Sequence, residues 1–502
     1  MLDLAFRPDP GAAAPLYRQL ADFLSALIAA GRLPPGERVP PSRELAEDLG
    51  LSRNTVSRAY ETLAAAGLLQ GHVGRGSFVS ALGRPAAALR QAGPGPTPPG
   101  FAWQALFARS ARDLRPPAGL RAPKPGEALR FDFRPGQVDA AALPLAALQA
   151  AWQRALGGHL RAHANDVDLQ GEPALRAAIA RALGGRGIAC GPQDVLVTAG
   201  AQQALDLVAR TLVEPGDTVA IEDPGYFGAA LSFQAAGAHL VGVGVDAEGL
   251  RVDELARVLR GRRVKLLYAT PAAQSPTGVA LSPARRAALL ELAHREQLPI
   301  LEDDYDGELR LSGPVAPALK TEDARQQVIY VGTFSKALFP GLRLGYLVAA
   351  RALLGALALQ RFAASFQPSL VDQLALVELL STDTLERHLR KVRRRHAERA
   401  RVLRAALAEA LPAGARIGHP AGGSSVWVEL PHDVDGSALA VAARERGIAY
   451  APGEAFRLEG DGPPCLLLSF AVESPDAIQR GVAELGRLVH AAQARGRRAA
   501  AR

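Results

Sequence analysis

Lysine is scarce in this chain. Of 58 basic residues in 502, only five are lysine, at positions 124, 265, 320, 336 and 391. Chemistry that needs an amine therefore has few places to occur. Cysteine is scarcer still. Cys190 and Cys465 are the two thiols, too few for a disulfide framework and consistent with a reducing cytosol. No basic-then-apolar leader is expected, because Leu2 is followed at once by Asp3. Long apolar runs are missing as well. The longest uncharged stretch, 224–245, is broken by glycines, Gln234 and His239, so it reads as α/β core and not as a membrane span. These absences together predict a cytoplasmic protein with no membrane partner.

The remaining composition is ordinary. Apolar residues make up 48% and charged residues 22%, which excludes disorder of the whole chain. The length implies more than one domain. Net charge is +8, unevenly placed. Residues 1–80 carry eight Arg against eight Asp and Glu, and residues 81–125 carry seven basic residues against one acidic. The last eight residues add four arginines. The excess thus sits in a linker and a tail, and overall charge alone does not predict nucleic-acid binding.

Residues 10–80 carry a compact pattern. Leu16, Leu20, Phe23, Leu24, Leu27 and Ile28 recur at helical spacing up to Gly31. Ser42 can cap a second helix that Gly50 ends, and Ser52 a third. In the third helix Val56, Ala59, Tyr60 and Leu63 form the apolar stripe and leave Arg53, Asn54, Ser57 and Arg58 outside. Residues 67–79 read as two short strands around a Gly-rich turn. Two helices about a short turn, followed by a hairpin, predict a winged helix-turn-helix.

Residues 81–127 are rich in Pro, Gly, Ala and Arg and read as a linker, with a short helix expected over 101–114. From 128 to 490, strand-like runs at 194–197, 218–221, 240–243, 265–268, 299–301, 328–331 and 344–348 alternate with helical stretches. This predicts a mostly parallel sheet covered on both faces, an α/β domain with a C-terminal α+β part. Residues 491–502 read as a basic tail.

The large domain holds the chemistry. Lys336 lies in Gly332-Thr-Phe-Ser-Lys336, with hydroxyls at Thr333 and Ser335 and a guanidinium at Arg343. Such surroundings suit a lysine that holds an aldehyde cofactor as a Schiff base, with donors for the cofactor's phosphate. The plain alternative is a polar turn before a buried strand. Thr198-Ala-Gly-Ala-Gln-Gln203 follows a strand and opens a helix, where free N–H groups of Gly200, Ala201 and Gln202 suit a phosphate. Tyr226 ends the next strand and can stack on a flat ring, although a lone Tyr is more often packing. Asp303 can face a pyridinium nitrogen and Tyr305 a ring oxygen. The five acids between 302 and 308 could equally be a solvated loop. A metal site ranks low because no His or Cys lies among them. Pyridoxal 5'-phosphate is the cofactor that this set of groups would serve.

The order of Gly-rich turn, aromatic, Pro276-Thr-Gly278, Asp-x-Tyr and then lysine with trailing arginine resembles the fold type I aminotransferases. With Pro41-Ser-Arg-Glu-Leu-Ala46, Leu51-Ser-Arg-Asn-Thr-Val56 and Gly74-Arg-Gly76 in front, the whole chain resembles the MocR-type members of the GntR family of bacterial regulators. The resemblance implies a Schiff base at Lys336. It places Asp303 and Tyr305 on the ring, Tyr226 stacked, and Gly200, Ala201, Gln202, Thr333, Ser335 and Arg343 about the phosphate. In the head it implies contacts to double-stranded promoter DNA from Arg43, Ser52, Arg53, Asn54, Thr55 and Arg58, with His72 and Arg75 of the wing. It also implies a head-to-tail homodimer and a small amine or amino-acid effector.

Three positions depart from the family pattern. Leu467 stands where an arginine holds the substrate carboxylate. Thr270-Pro-Ala-Ala-Gln-Ser-Pro-Thr-Gly278 lacks the usual Ser and His, and Asp166 replaces a tyrosine. The expected function is a regulator that binds the cofactor, with transamination lost or weakened. The alternatives are a working aminotransferase with an accessory head and a relic without cofactor. Intact Lys336, Asp303, Tyr305 and Arg343 count against the relic.

Overall fold

The computed structural model describes residues 6, 8–9, 11, 14–29, 32–72, 76–80, 103–114, 129–311, 317–458 and 462–500. The chain divides into two compact units, one ending at Leu106 and the other beginning at Phe107.

In the first unit, α1 (Leu16–Ala29), α2 (Ser42–Leu49) and α3 (Arg53–Ala65) precede the antiparallel strands β1 (Leu69–His72) and β2 (Gly76–Val79). Leu20, Leu24, Leu45, Val56, Ala59, Tyr60, Leu63 and Val79 share one buried core. A short turn separates α2 from α3. Gly50 takes a left-handed φ of 63° there, which costs a glycine little. Ser52 then accepts the Thr55 N–H at 3.1 Å and caps α3. The Tyr60 hydroxyl donates to the Pro40 carbonyl at 2.8 Å, tying α3 to the approach of α2. One expectation fails here. Ser42 is the first residue of α2 and Pro41 holds the cap position, its fixed φ setting an extended entry.

In the second unit an eight-stranded sheet has the order β4-β11-β10-β9-β8-β5-β6-β7. Its strands are β4 (Val195–Thr198), β5 (Thr218–Asp223), β6 (His239–Asp246), β7 (Gly249–Leu250), β8 (Leu266–Ala269), β9 (Ile300–Asp304), β10 (Val328–Thr333) and β11 (Gly345–Val348). Strands β10, β9, β8, β5 and β6 run parallel, whereas β11 pairs antiparallel with both β10 and β4. The central strands are nearly continuous apolar runs because helices cover both faces. Helices Ala201–Leu212, Phe227–Ala235 and Arg351–Ser365 pack with Ile221, Tyr268 and Val331 in one core. Helices Val252–Gly261 and Pro283–Glu296 pack with Ala220, Leu267 and Ile300 in another.

The C-terminal part adds β12 (Arg416–Ile417), β13 (Ser425–Glu429), β15 (Ala451–Pro452) and β16 (Cys465–Ser469) as a four-stranded antiparallel sheet. The strand pair β3 (Phe131–Asp132) and β14 (Ile448–Ala449) stands beside it. Helices Thr384–Ala410 and Pro475–Ala500 share its core through Leu403, Leu407, Val482 and Leu485. The residues read as a tail from 491 continue this last helix up to Ala500. Gln493 and Arg497 donate to the two oxygens of Asp433 there, at 3.0 and 2.7 Å. The single helix expected over 101–114 is two, Trp103–Leu106 and Arg109–Asp113, parted by extended backbone at Ala108. Among the described residues no helix is long and apolar enough to cross a membrane.

Candidate cofactor pocket and nucleic-acid interface

The carboxyl ends of β5, β8, β9 and β10 open onto one cavity of about 820 Å³, where ligands of open α/β sheets are generally held. Ala201, Gln202, Tyr226, Asp303, Tyr305, Thr333, Ser335, Lys336 and Arg343 all line it. The sequence spreads these residues over more than a hundred positions, and the parallel register gathers them.

Gly200 precedes helix Ala201–Leu212 at φ 86°. A Cβ there would lie 3.2 Å from Nη2 of Arg343, so only glycine leaves the helix N-terminus open beside that guanidinium. Arg343 itself takes a left-handed φ of 50°, sparsely populated for a side chain of this size, and donates to the Ala199 carbonyl at 3.0 Å. The Thr333 hydroxyl accepts the Ser335 N–H at 3.2 Å, which shapes the turn carrying Lys336. The Ser335 hydroxyl is buried without a partner. Gln202 spends its side chain within the wall. It donates to the Gly228 carbonyl at 2.8 Å and accepts the Tyr226 hydroxyl at 3.2 Å, which fixes the Tyr226 ring.

Asp303 is buried at the end of β9. Its Oδ2 accepts the Tyr268 hydroxyl at 3.0 Å, and its Oδ1 has no partner. Burial pushes its carboxyl up to about 7, with Asp304, Asp306 and Glu222 adding repulsion against the Tyr268 bond. Tyr305 shares a hydrogen bond with Ser275, and burial holds its phenol well above the usual range.

Several groups escaped the sequence reading. Glu222, fully buried, accepts the Thr270 N–H and hydroxyl at 3.0 and 2.5 Å, and burial raises its carboxyl to about 7. Asp306 is pushed up to about 6 by burial against the pull of Lys336. An acid closing a buried apolar strand was the available signal for Glu222. Nothing local marks Tyr268. Of the departures, Leu467 lies in the cavity wall. Asp166 is exposed, with Oδ2 2.8 Å from Nδ1 of His163.

In the first unit Arg43, Ser52, Arg53, Asn54 and Arg58 are exposed, and Thr55 is half-buried under its bond with Ser52. Arg58 stacks its guanidinium 4.2 Å from the centre of the Tyr17 ring, and Arg43 pairs with Glu47 at 3.6 Å. His72 closes β1 opposite Gly76, and Arg75 lies outside the described residues.

Comparison with known proteins agrees with both halves. The family of class I and II aminotransferases matches residues 138–485, and the gntR family of bacterial regulatory proteins matches 16–79. The chain is 34% identical to a probable rhizopine catabolism regulatory protein, MocR, of Rhizobium meliloti, covering 95% of this chain and 94% of that one. It is equally identical to the HTH-type transcriptional regulator TauR of Rhodobacter capsulatus, over 95% and 97%. Among solved structures, the α-aminoadipate aminotransferase LysN of Thermus thermophilus, complexed with N-(5'-phosphopyridoxyl)-L-leucine, superposes with a TM-score of 0.72. That match has 31% identity over 78% of this chain and 100% of that chain. A gntR-type winged helix-turn-helix joined to a fold type I aminotransferase domain, with regulators matched over nearly their full length, places this chain in the MocR-type branch of the gntR family of transcriptional regulators.

Proposed function

We propose that the large domain is the sensor of this DNA-binding regulator, that it binds pyridoxal 5'-phosphate, and that a primary amine or amino acid entering beside the cofactor changes how the heads hold promoter DNA. The carrying observation is the chemistry left open around Lys336. Asp303 Oδ1 and Ser335 Oγ are buried without partners, and Gly200 keeps a helix N-terminus clear next to Arg343. Buried polar groups rarely stay unpaired, and these would meet a ring nitrogen at one end and a phosphate at the other.

In this reading Lys336 would hold the cofactor through its aldehyde, Asp303 would keep a proton at the ring nitrogen, Tyr305 would donate to the ring oxygen, and Tyr226 would pack against the ring. Gly200, Ala201 and Gln202 offer backbone N–H groups to the phosphate, joined by Thr333, Ser335 and Arg343. The cofactor, when bound, supplies an aldehyde that captures primary amines and an electron-withdrawing ring. Tyr268 and Gln202 keep Asp303 and Tyr226 in place before anything binds, so little ordering is left to binding. Arg43, Ser52, Arg53, Asn54, Thr55 and Arg58, with His72 and Arg75, form the proposed DNA face. The regulator acts in the cytoplasm as a homodimer, head-to-tail, in which two heads read paired half-sites. An effector can shift such a dimer only by binding one arrangement better than another.

The same intact site supports a second reading, a working aminotransferase with an accessory head. One experiment addresses both. Binding to the chain's own upstream DNA is measured without cofactor, with it, and with Lys336→Ala. A cofactor effect on wild type that the variant lacks supports the sensor. Equal binding in all three removes the cofactor alone as the signal. Absence of specific binding, with turnover of a common amino acid, favours the enzyme.

A further inference from the structure

The cavity also has an apolar wall that the reading above leaves without a task. Leu467 sits on β16 between its cross-strand partners Trp427 and Ala451 and is almost fully buried. It packs in one small core with Trp427, Ala455 and Phe456, and Phe227 leans on that core. The rings form a chain leading away from the cofactor-facing tyrosine. Tyr226 to Phe227 is 5.1 Å, Phe227 to Phe456 6.1 Å and Phe456 to Trp427 6.0 Å between centroids. Phe227, Tyr450, Val441, Phe456 and Leu467 all face the cavity.

Guanidiniums that could meet an anion here are few. Arg343 stands beside Gly200 at the helix N-terminus and donates to the Ala199 carbonyl. Arg134 is forked onto Asp132 at 2.8 and 2.5 Å. Arg444 lies half-buried in the last turn of helix Gly436–Glu445. Against Leu467 and Phe456 a carboxylate would lose water, and the partnerless donors that share the cavity, the Tyr450 hydroxyl and the Gln137 amide nitrogen, are neutral, so the transfer disfavours the ion. An aliphatic or aromatic group would gain burial and ring contacts.

We infer that this wall is the recognition subsite for the effector, and that the effector is a primary amine bearing an aliphatic or aromatic group and no carboxylate beside the amine. The inference rests on the cofactor reading above. Full-length protein loaded with pyridoxal 5'-phosphate is titrated with matched pairs, 2-phenylethylamine against L-phenylalanine and 3-methylbutylamine against L-leucine, following the cofactor's visible absorption. Each amine is expected to bind at least about tenfold more tightly than its amino acid, about 1.4 kcal/mol by the usual conversion. In Leu467→Arg the order is expected to reverse, with a thermal melt reporting whether the variant is folded. If it is not, the wild-type series decides alone. Amino acids binding as tightly as the amines, with Arg444 as their partner, would overturn the inference and leave the cofactor reading intact. Failure of wild type to develop the cofactor's absorption band would remove that reading and this inference with it.

Discussion

Asp303 is a buried carboxyl that lines the cavity. Its carboxyl is raised to about 7 from an ordinary value of 3.8, chiefly by burial. A carboxyl raised in the folded state stabilises the fold while protonated, and this contribution is lost as pH climbs from about 4 through about 7. In cofactor-free protein Asp303→Asn removes that loss. Its melting temperature relative to wild type is therefore expected to rise between pH 5 and pH 8 in a differential scanning series. A difference flat across that range would contradict the assignment. At the phosphate end, Arg343→Ala removes a charge-assisted donor of about 1.5–3 kcal/mol. Equilibrium titration is expected to show cofactor affinity falling by about 10- to 150-fold. A drop below threefold would mean that the helix N-terminus holds the phosphate by itself.

At the scale of elements, α3 decides the head. Ser52→Ala deletes its cap and is expected to cost about 1 kcal/mol, read as an earlier unfolding transition of the first unit. Leu63, 2% exposed in the head core, is expected to cost about 2–5 kcal/mol as Leu63→Ala. A unit of this size has little stability to spare. Specific DNA binding is then expected to fail while the large unit melts unchanged and still takes up cofactor. Loss of cofactor uptake in that variant would show that the two units are not independent in stability. The strands of the large sheet were largely legible because buried parallel strands are apolar runs punctuated by turns. The last helix was not. Its final turns are arginine-rich and look solvated, but Ala492 is buried and Arg497 finds Asp433 sixty-four residues away.

At the scale of the whole molecule, charge and partner choice meet. The head is neutral in sum yet exposes Arg43, Arg53 and Arg58 on α2 and α3. If each of these neutralises one phosphate, Arg53→Ala is expected to reduce the slope of log affinity against log salt by about one and to weaken specific and non-specific sites alike. Weakening at the specific site alone would instead assign Arg53 to a base edge.

The sequence alone determined the kinds of parts and their order. Capping residues, apolar periodicities and glycine positions act over a few neighbours, and they placed the winged head, the alternating sheet and the turn around Lys336. Of the residues named for the site, all but Gly200 line one cavity, and each lies within a few residues of a strand end, where turn and helix-start signals are local. Only the tertiary structure decided what surrounds them. It set Tyr268 under Asp303, buried Glu222 and Asp306 beside it, forked Arg134 onto Asp132, and lined Leu467 with Phe456 and Phe227. Tyr268 lies 35 residues from Asp303, and Phe227 lies far along the chain from Leu467, whereas Arg134 and Asp132 are two residues apart and still pair only because the fold brings their side chains together. Charge state and ligand preference are therefore properties of packing, because desolvation and pairing depend on distance in space and leave no mark on spacing in the chain.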